Sequence, residues 1–108
     1  MSALDVHPAI LETVRRILAT HVPEYDVYAF GSRVTGKARK KSDLDLAVIT
    51  DKPLDVLRRA ELQEAFSESE VPFKVDIVDW ADTKENFRKI ILENQIKIQT
   101  KKGIIKGL

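Results

Sequence analysis

Residues 25–50 read YDVYAFGSRVTGKARKKSDLDLAVIT, and the fold turns on how this stretch divides. Tyr25 to Phe30 is β-branched and aromatic and stops at Gly31, which predicts a short strand in the interior of a sheet. Leu44 to Thr50 alternates and then runs apolar through Leu46, Ala47, Val48 and Ile49, the pattern of a strand covered on at least one face. Between them, Ser32 to Ser42 carries Gly36 and the basic residues Arg33, Lys37, Arg39, Lys40 and Lys41. That segment is too polar for a core and reads as a loop opening with one helical turn.

Outward from this centre the periods become helical. Upstream, Ile10, Leu11, Val14, Ile17 and Leu18 recur at helical spacing between Pro8, which suits a first helical position, and Pro23, which stops the run. Downstream, Leu54 to Ser69 places Leu54, Leu57, Leu62, Ala65 and Phe66 on a second amphipathic helix ended by Pro72. Phe73 to Trp80 alternates and predicts a third strand with an irregularity near its end. Asp82 and Glu85 read as a capping pair for a last helix reaching about Asn94, with Phe87, Ile90 and Ile91 inward, before a short strand from Ile96 to Gln99. Strands alternating with helices in this way predict an α/β layer fold.

At 108 residues and 12.3 kDa the chain fits one domain, assigned to residues 1–99. Residues 100–108 form a basic, glycine-punctuated tail whose Ile104, Ile105 and Leu108 follow no period and suit fraying or docking on a partner. Eighteen Lys plus Arg against 17 Asp plus Glu leave a net charge of +1, so no global field draws the chain to nucleic acid or to an anionic membrane. Cysteine is absent, which removes disulfides, thiolate zinc sites and cysteine nucleophiles. No apolar run approaches the roughly 20 residues of a membrane helix, and Met1 to Pro8 lacks the regions of a signal peptide, so a cytoplasmic location is expected.

The chemistry concentrates in the loop and its two strands. A glycine at a strand end lets the backbone turn so that successive amides and the Ser32 hydroxyl can face an anion, although a Gly31-Ser32 pair alone is equally a plain turn. Ser42-Asp43-Leu44-Asp45-Leu46 follows, with both carboxylates on one face of a strand and both leucines on the other. Like charges so placed raise one another's pKa unless a cation joins them, and Mg²⁺, with hard oxygen ligands and room for substrate phosphates, suits the pair. The competing reading is a solvated strand start. An EF-hand is excluded, because the sixth position from Asp43 is Val48 rather than glycine. Asp76, alone in Phe73-Lys74-Val75-Asp76-Ile77-Val78, joins the other two acids if its strand is adjacent, or else marks the polar face of that strand; Asp79 is its nearest decoy. Three acids beside a phosphate-binding turn are what metal-assisted phosphoryl or nucleotidyl transfer requires. His7 and His21 read as surface or capping residues, Trp80 as core or subunit contact, and Ser67 and Ser69 have no identifiable base.

Taken together, Gly31-Ser32-Arg33-Val34-Thr35-Gly36-Lys37-Ala38, Ser42-Asp43-Leu44-Asp45-Leu46 and the later Asp76 resemble the minimal nucleotidyltransferase (MNT) branch of the DNA polymerase beta-like nucleotidyltransferase superfamily. The resemblance implies a compact mixed sheet with helices packed on it. It implies that Gly31 and Ser32 hold the nucleotide's terminal phosphates, that Asp43, Asp45 and Asp76 hold Mg²⁺ (two ions), and that Asp76 activates the acceptor hydroxyl. Arg33 matches the Gly-Ser-Arg variant and either pairs with a phosphate or is solvated; Lys37, Arg39, Lys40 and Lys41 are either a solvated loop or a patch that draws in triphosphate or an acidic partner. The implied reaction moves AMP from ATP to a hydroxyl of a partner, a HEPN ribonuclease toxin, with the chain as antitoxin and with homo- or hetero-oligomers compatible. The alternative is a catalytically weak antitoxin or assembly subunit that neutralises its partner by binding alone. Antibiotic adenylylation uses the same motifs but ordinarily needs a further domain to hold the drug.

Overall fold

In the computed structural model, which describes residues 4–102, Pro8 opens helix α1 (Pro8–His21) as expected, and the His7 imidazole caps it by accepting from the Ala9 amide at 3.1 Å. There follow β1 (Val27–Phe30), the single turn α2 (Ser32–Thr35), β2 (Leu44–Val48), α3 (Val56–Ser67), β3 (Val75–Asp79), a 3-10 turn (Trp80–Asp82), α4 (Glu85–Glu93) and β4 (Ile96–Gln99). The strands form one sheet in the order β3-β2-β1-β4, in which β2 runs parallel to β3 while β1 is antiparallel to both its neighbours. The expected mixed sheet with packed helices is therefore the fold, and β1 occupies its interior. No helix among the described residues is long and apolar enough to cross a membrane.

Alternation along the strands divides the sheet into two unlike faces. Val27, Ala29, Leu44, Leu46, Val48, Val75 and Ile77 point to one side, where Val14 and Leu18 of α1 and Leu62 and Phe66 of α3 close a continuous core over them. Each fully buried leucine here contributes about 1.5–3 kcal/mol. The other face is thinner: Phe30 and Ala47 form a small buried cluster with Ile91 of α4, with Ile49, Val78 and Trp80 at the margin. Asp45 and Asp76, between those positions, fall on this second face, so the fold leaves them open on the side that a single helix covers.

Several expectations are corrected. The irregularity foreseen near the end of the third strand is instead a register shift between Val27 and Tyr28 where β1 meets β4. Leu57 is 68% exposed, because Leu54, ahead of the helix, takes the buried place and Asp55 caps α3 by accepting from the Arg58 amide. Asp82 and Glu85 form no capping pair. Asp82 lies in the 3-10 turn, which is closed by the Thr83 amide on the Trp80 carbonyl (3.0 Å), and α4 starts only after Lys84. Of the three residues expected inward on α4, Ile91 is buried whereas Phe87 and Ile90 are exposed. Trp80 packs at the margin of the smaller core with the Arg88 guanidinium stacked 4.7 Å above its ring. Lys101 and Lys102 lie along the loop before β1, their amides donating to Asp26 Oδ1 and the Pro23 carbonyl; Ile104, Ile105 and Leu108 fall outside the described residues.

Candidate active site

Gly31 ends β1 at φ 83°, ψ −158°, a conformation that only glycine adopts without strain, and the chain turns there directly into α2. The Val34 and Thr35 amides donate back to the Gly31 carbonyl (3.0 and 3.1 Å), and the first amides of a helix, here those of Ser32 and Arg33, have no intrahelical acceptor. Gly36, at φ 81°, ends α2 with its left-handed cap.

The strand pairing then sets the acids. Asp45 stands opposite Phe30 across β1–β2 and in register with Asp76 across the parallel pair β2–β3. Adjacent strands bring such neighbours within about 5 Å at the backbone. Burial, then Asp76, then Asp43 push the Asp45 carboxyl up to about 6. Among the described residues no cationic side chain forms an ion pair with Asp43, Asp45 or Asp76. Among the described residues no three acidic or histidine side chains form a ready cage for an ion. Asp45 and Asp76 share a cavity, and Asp43, exposed one residue before β2, stands outside its lining while its charge still raises the Asp45 pKa. An unneutralised pair of hard oxygen donors, with the Asp43 charge acting on it, suits a divalent cation that completes its shell with phosphate oxygens and water.

Arg33 is neither solvated nor available to a phosphate. It is 5% exposed, and its guanidinium donates to the carbonyls of Asp5 (2.8 Å), Lys40 (3.1 Å) and Ser42 (2.8 and 3.0 Å) while stacking 3.8 Å over the Phe73 ring. It therefore ties the 37–42 loop to the N-terminal segment. Lys37, Arg39, Lys40 and Lys41 are exposed on that loop. Asp79 is 3% exposed on the opposite face, where it accepts from the Thr50 hydroxyl and from the Leu54 amide (2.6 Å), away from Asp45 and Asp76.

The cavity around the acids measures about 460 Å³, and its lining joins Gly31, Thr35, Asp45 and Asp76 with the apolar side chains of Phe30, Val78, Phe87 and Ile90. The α4 residues were missed from sequence. The spacing held no signal for them, because Phe87, Ile90 and Ile91 fall on one helical face and read together as core.

Residues 12–103 match the family described as Polymerase beta, Nucleotidyltransferase. The "Probable protein adenylyltransferase MntA" of Haemophilus influenzae is 53% identical over 102 residues, covering 94% of this chain and 90% of that protein. The crystal structure of a toxin-antitoxin with AMP-PNP superposes with a TM-score of 0.71 at 25% identity, over 83% of this chain and 73% of the other. A tri-AMPylated HEPN toxin in complex with an MNT antitoxin, from Shewanella oneidensis, has the same fold at a TM-score of 0.65 and 22% identity, over 85% and 71% of the two chains. The present chain belongs to the polymerase beta nucleotidyltransferase family.

Proposed function

We propose that this chain is a Mg²⁺-dependent adenylyltransferase that moves AMP from ATP to a hydroxyl of a HEPN-type toxin protein in the cytoplasm, and thereby acts as its antitoxin. The observation that carries this reading is the registered pair Asp45 and Asp76 beside the Gly31 turn, in one cavity and without a cationic partner among the described residues. The 53% identity to a protein adenylyltransferase supports the acceptor class, and the toxin-antitoxin neighbour supports the partner class.

Each residue has a part in this reaction. The glycine backbone at Gly31 allows close approach, and the Ser32 hydroxyl with the opening amides of α2 holds the terminal phosphates. Asp43, Asp45 and Asp76 would hold Mg²⁺, whose chemistry there is to neutralise the triphosphate and polarise the α-phosphorus. Asp76 is the more exposed of the paired acids and takes the proton of the attacking hydroxyl. The hydroxyl oxygen bonds to the α-phosphorus, the bond from that phosphorus to the bridging oxygen breaks, and pyrophosphate leaves.

Label transfer tests the reaction. The chain and Mg²⁺ are incubated with lysate of the source cell and ATP labelled at the α or the γ phosphate, beside an Asp43→Asn, Asp45→Asn double variant. Label from α alone, lost in the variant, is expected. Label from γ would mean a kinase, and no label from either position would leave the chain a binding protein.

A further inference from the structure

The cavity that holds Asp45 and Asp76 is lined by apolar as well as acidic side chains. Beside the acids stand Phe30, Val78, Phe87 and Ile90, with Glu93 and Asn94 at the end of α4. Phe87 and Ile90 are 39% and 58% exposed on a helix whose Ile91 is buried, so this wall keeps apolar surface in water that burial would remove. The wall is also fixed. The Phe87 ring meets Phe30 edge-on, with centroids 5.9 Å apart and planes at 79°, and Phe30 pairs in register with Asp45. Acids and aromatic wall are thereby held in one frame, in a volume of the size that small-molecule sites occupy.

We infer that this wall receives the adenine base of the nucleoside triphosphate, which stacks on Phe87 and Ile90 while Asn94 and Glu93 meet its polar edge. A carboxamide suits adenine because it donates to a ring nitrogen and accepts from the exocyclic amine. A carboxylate offers acceptors only, so Glu93 welcomes that amine and repels a base that presents a carbonyl at the same place. Phe87, Ile90, Glu93 and Asn94 thus select the base, and Gly31 with the acids handles the phosphates. The inference rests on the transfer proposed above and deepens it.

Equilibrium binding in Mg²⁺ separates base from phosphate recognition. The probes are ATP, GTP and inorganic tripolyphosphate; the proteins are wild type, Ile90→Ser, Phe87→Leu and Asn94→Ala. Loss of stacking is expected to weaken ATP about tenfold in the first two variants and to leave tripolyphosphate unchanged. Asn94→Ala is expected to narrow the preference for ATP over GTP, and 2-azido-ATP is expected to photolabel residues 85–94 in the wild type. Unchanged ATP affinity in the α4 variants, with a wild type that binds ATP and transfers AMP, would overturn the inference and leave the proposed reaction standing. Unchanged affinity with reduced transfer would assign the wall to the protein acceptor and also overturn it. A wild type that binds tripolyphosphate and ATP equally would sink base recognition outright, whereas one that transfers no AMP would sink the reaction itself.

Discussion

Gly31 and Asp45 touch across the β1–β2 pair so closely that a Cβ added to the glycine would overlap the Asp45 carboxylate at Oδ2. The glycine is therefore needed twice, for a backbone at positive φ and for the space that the acid fills. Packing against the turn also takes water from Asp45, and desolvation is the largest cause of its raised pKa. The Gly31 turn and the Asp45–Asp76 pair are one mechanical unit.

Gly31→Ala is accordingly expected to damage both. The positive φ costs about 1–3 kcal/mol in a non-glycine residue, and the overlap must in addition displace Asp45. Melting should fall by at least several degrees and AMP transfer should be lost. Gly36→Ala is the control, since it shares the positive φ but meets nothing within 4 Å; it should lose some stability and keep transfer. Thermal melts beside label transfer read both outcomes.

The Asp45 carboxyl, pushed from 3.8 to about 6, gives a pH dependence of opposite sign to an ordinary paired acid. Between those values the folded state holds a proton that the unfolded chain has released, so stability without divalent cation falls as pH rises through this window. At pH 7.5 the metal-free protein should melt lower than at pH 5, and Asp45→Asn should be the more stable protein at pH 7.5. Mg²⁺ with ATP should raise the wild-type melting temperature and leave Asp45→Asn largely unmoved. A flat wild-type profile that Asp45→Asn also shows would refute the coupling.

Arg33 yields a prediction of stability without catalysis. A lysine cannot span the carbonyls of Asp5, Lys40 and Ser42 or stack flat on Phe73, so Arg33→Lys is expected to cost about 2–3 kcal/mol in urea unfolding. Its KM for ATP, measured well below the melting temperature, should match the wild type. A large rise in KM with unchanged stability would restore the arginine to the phosphates.

The comparison of sequence with structure follows from these contacts. Period-2 and period-3.6 patterns place apolar residues, so α1, β1 and β4 were legible to within two residues, and the Gly-Ser turn and Asp-x-Asp placed the acids on one strand face. Position along a strand says nothing of the neighbouring strand, so the pairing of Asp45 with Asp76 waited on the parallel register of β2 and β3. The role of Arg33 was hidden because its partners are backbone carbonyls, which leave no side-chain signature. The exposure of Phe87 and Ile90 was not legible because they share a helical face with the buried Ile91, and only the tertiary structure shows that part of this face borders an open cavity.

Asp76 and Asp79 lie on the same strand three residues apart, and the structure predicts that they fail in opposite ways. Asp79 is buried among the Thr50 hydroxyl and the Leu54 amide, so Asp79→Asn sets an amide N–H against a donor and should cost about 1–3 kcal/mol while sparing transfer at low temperature. Asp76 is exposed and its charge raises the pKa of Asp45, so Asp76→Asn relieves repulsion and should hold or raise stability while abolishing transfer. Melts and label transfer on the two variants decide the assignment. If Asp79→Asn instead abolished transfer at full stability, the catalytic acid would lie on the other face of the sheet, and the site built around Asp45 would have to be abandoned.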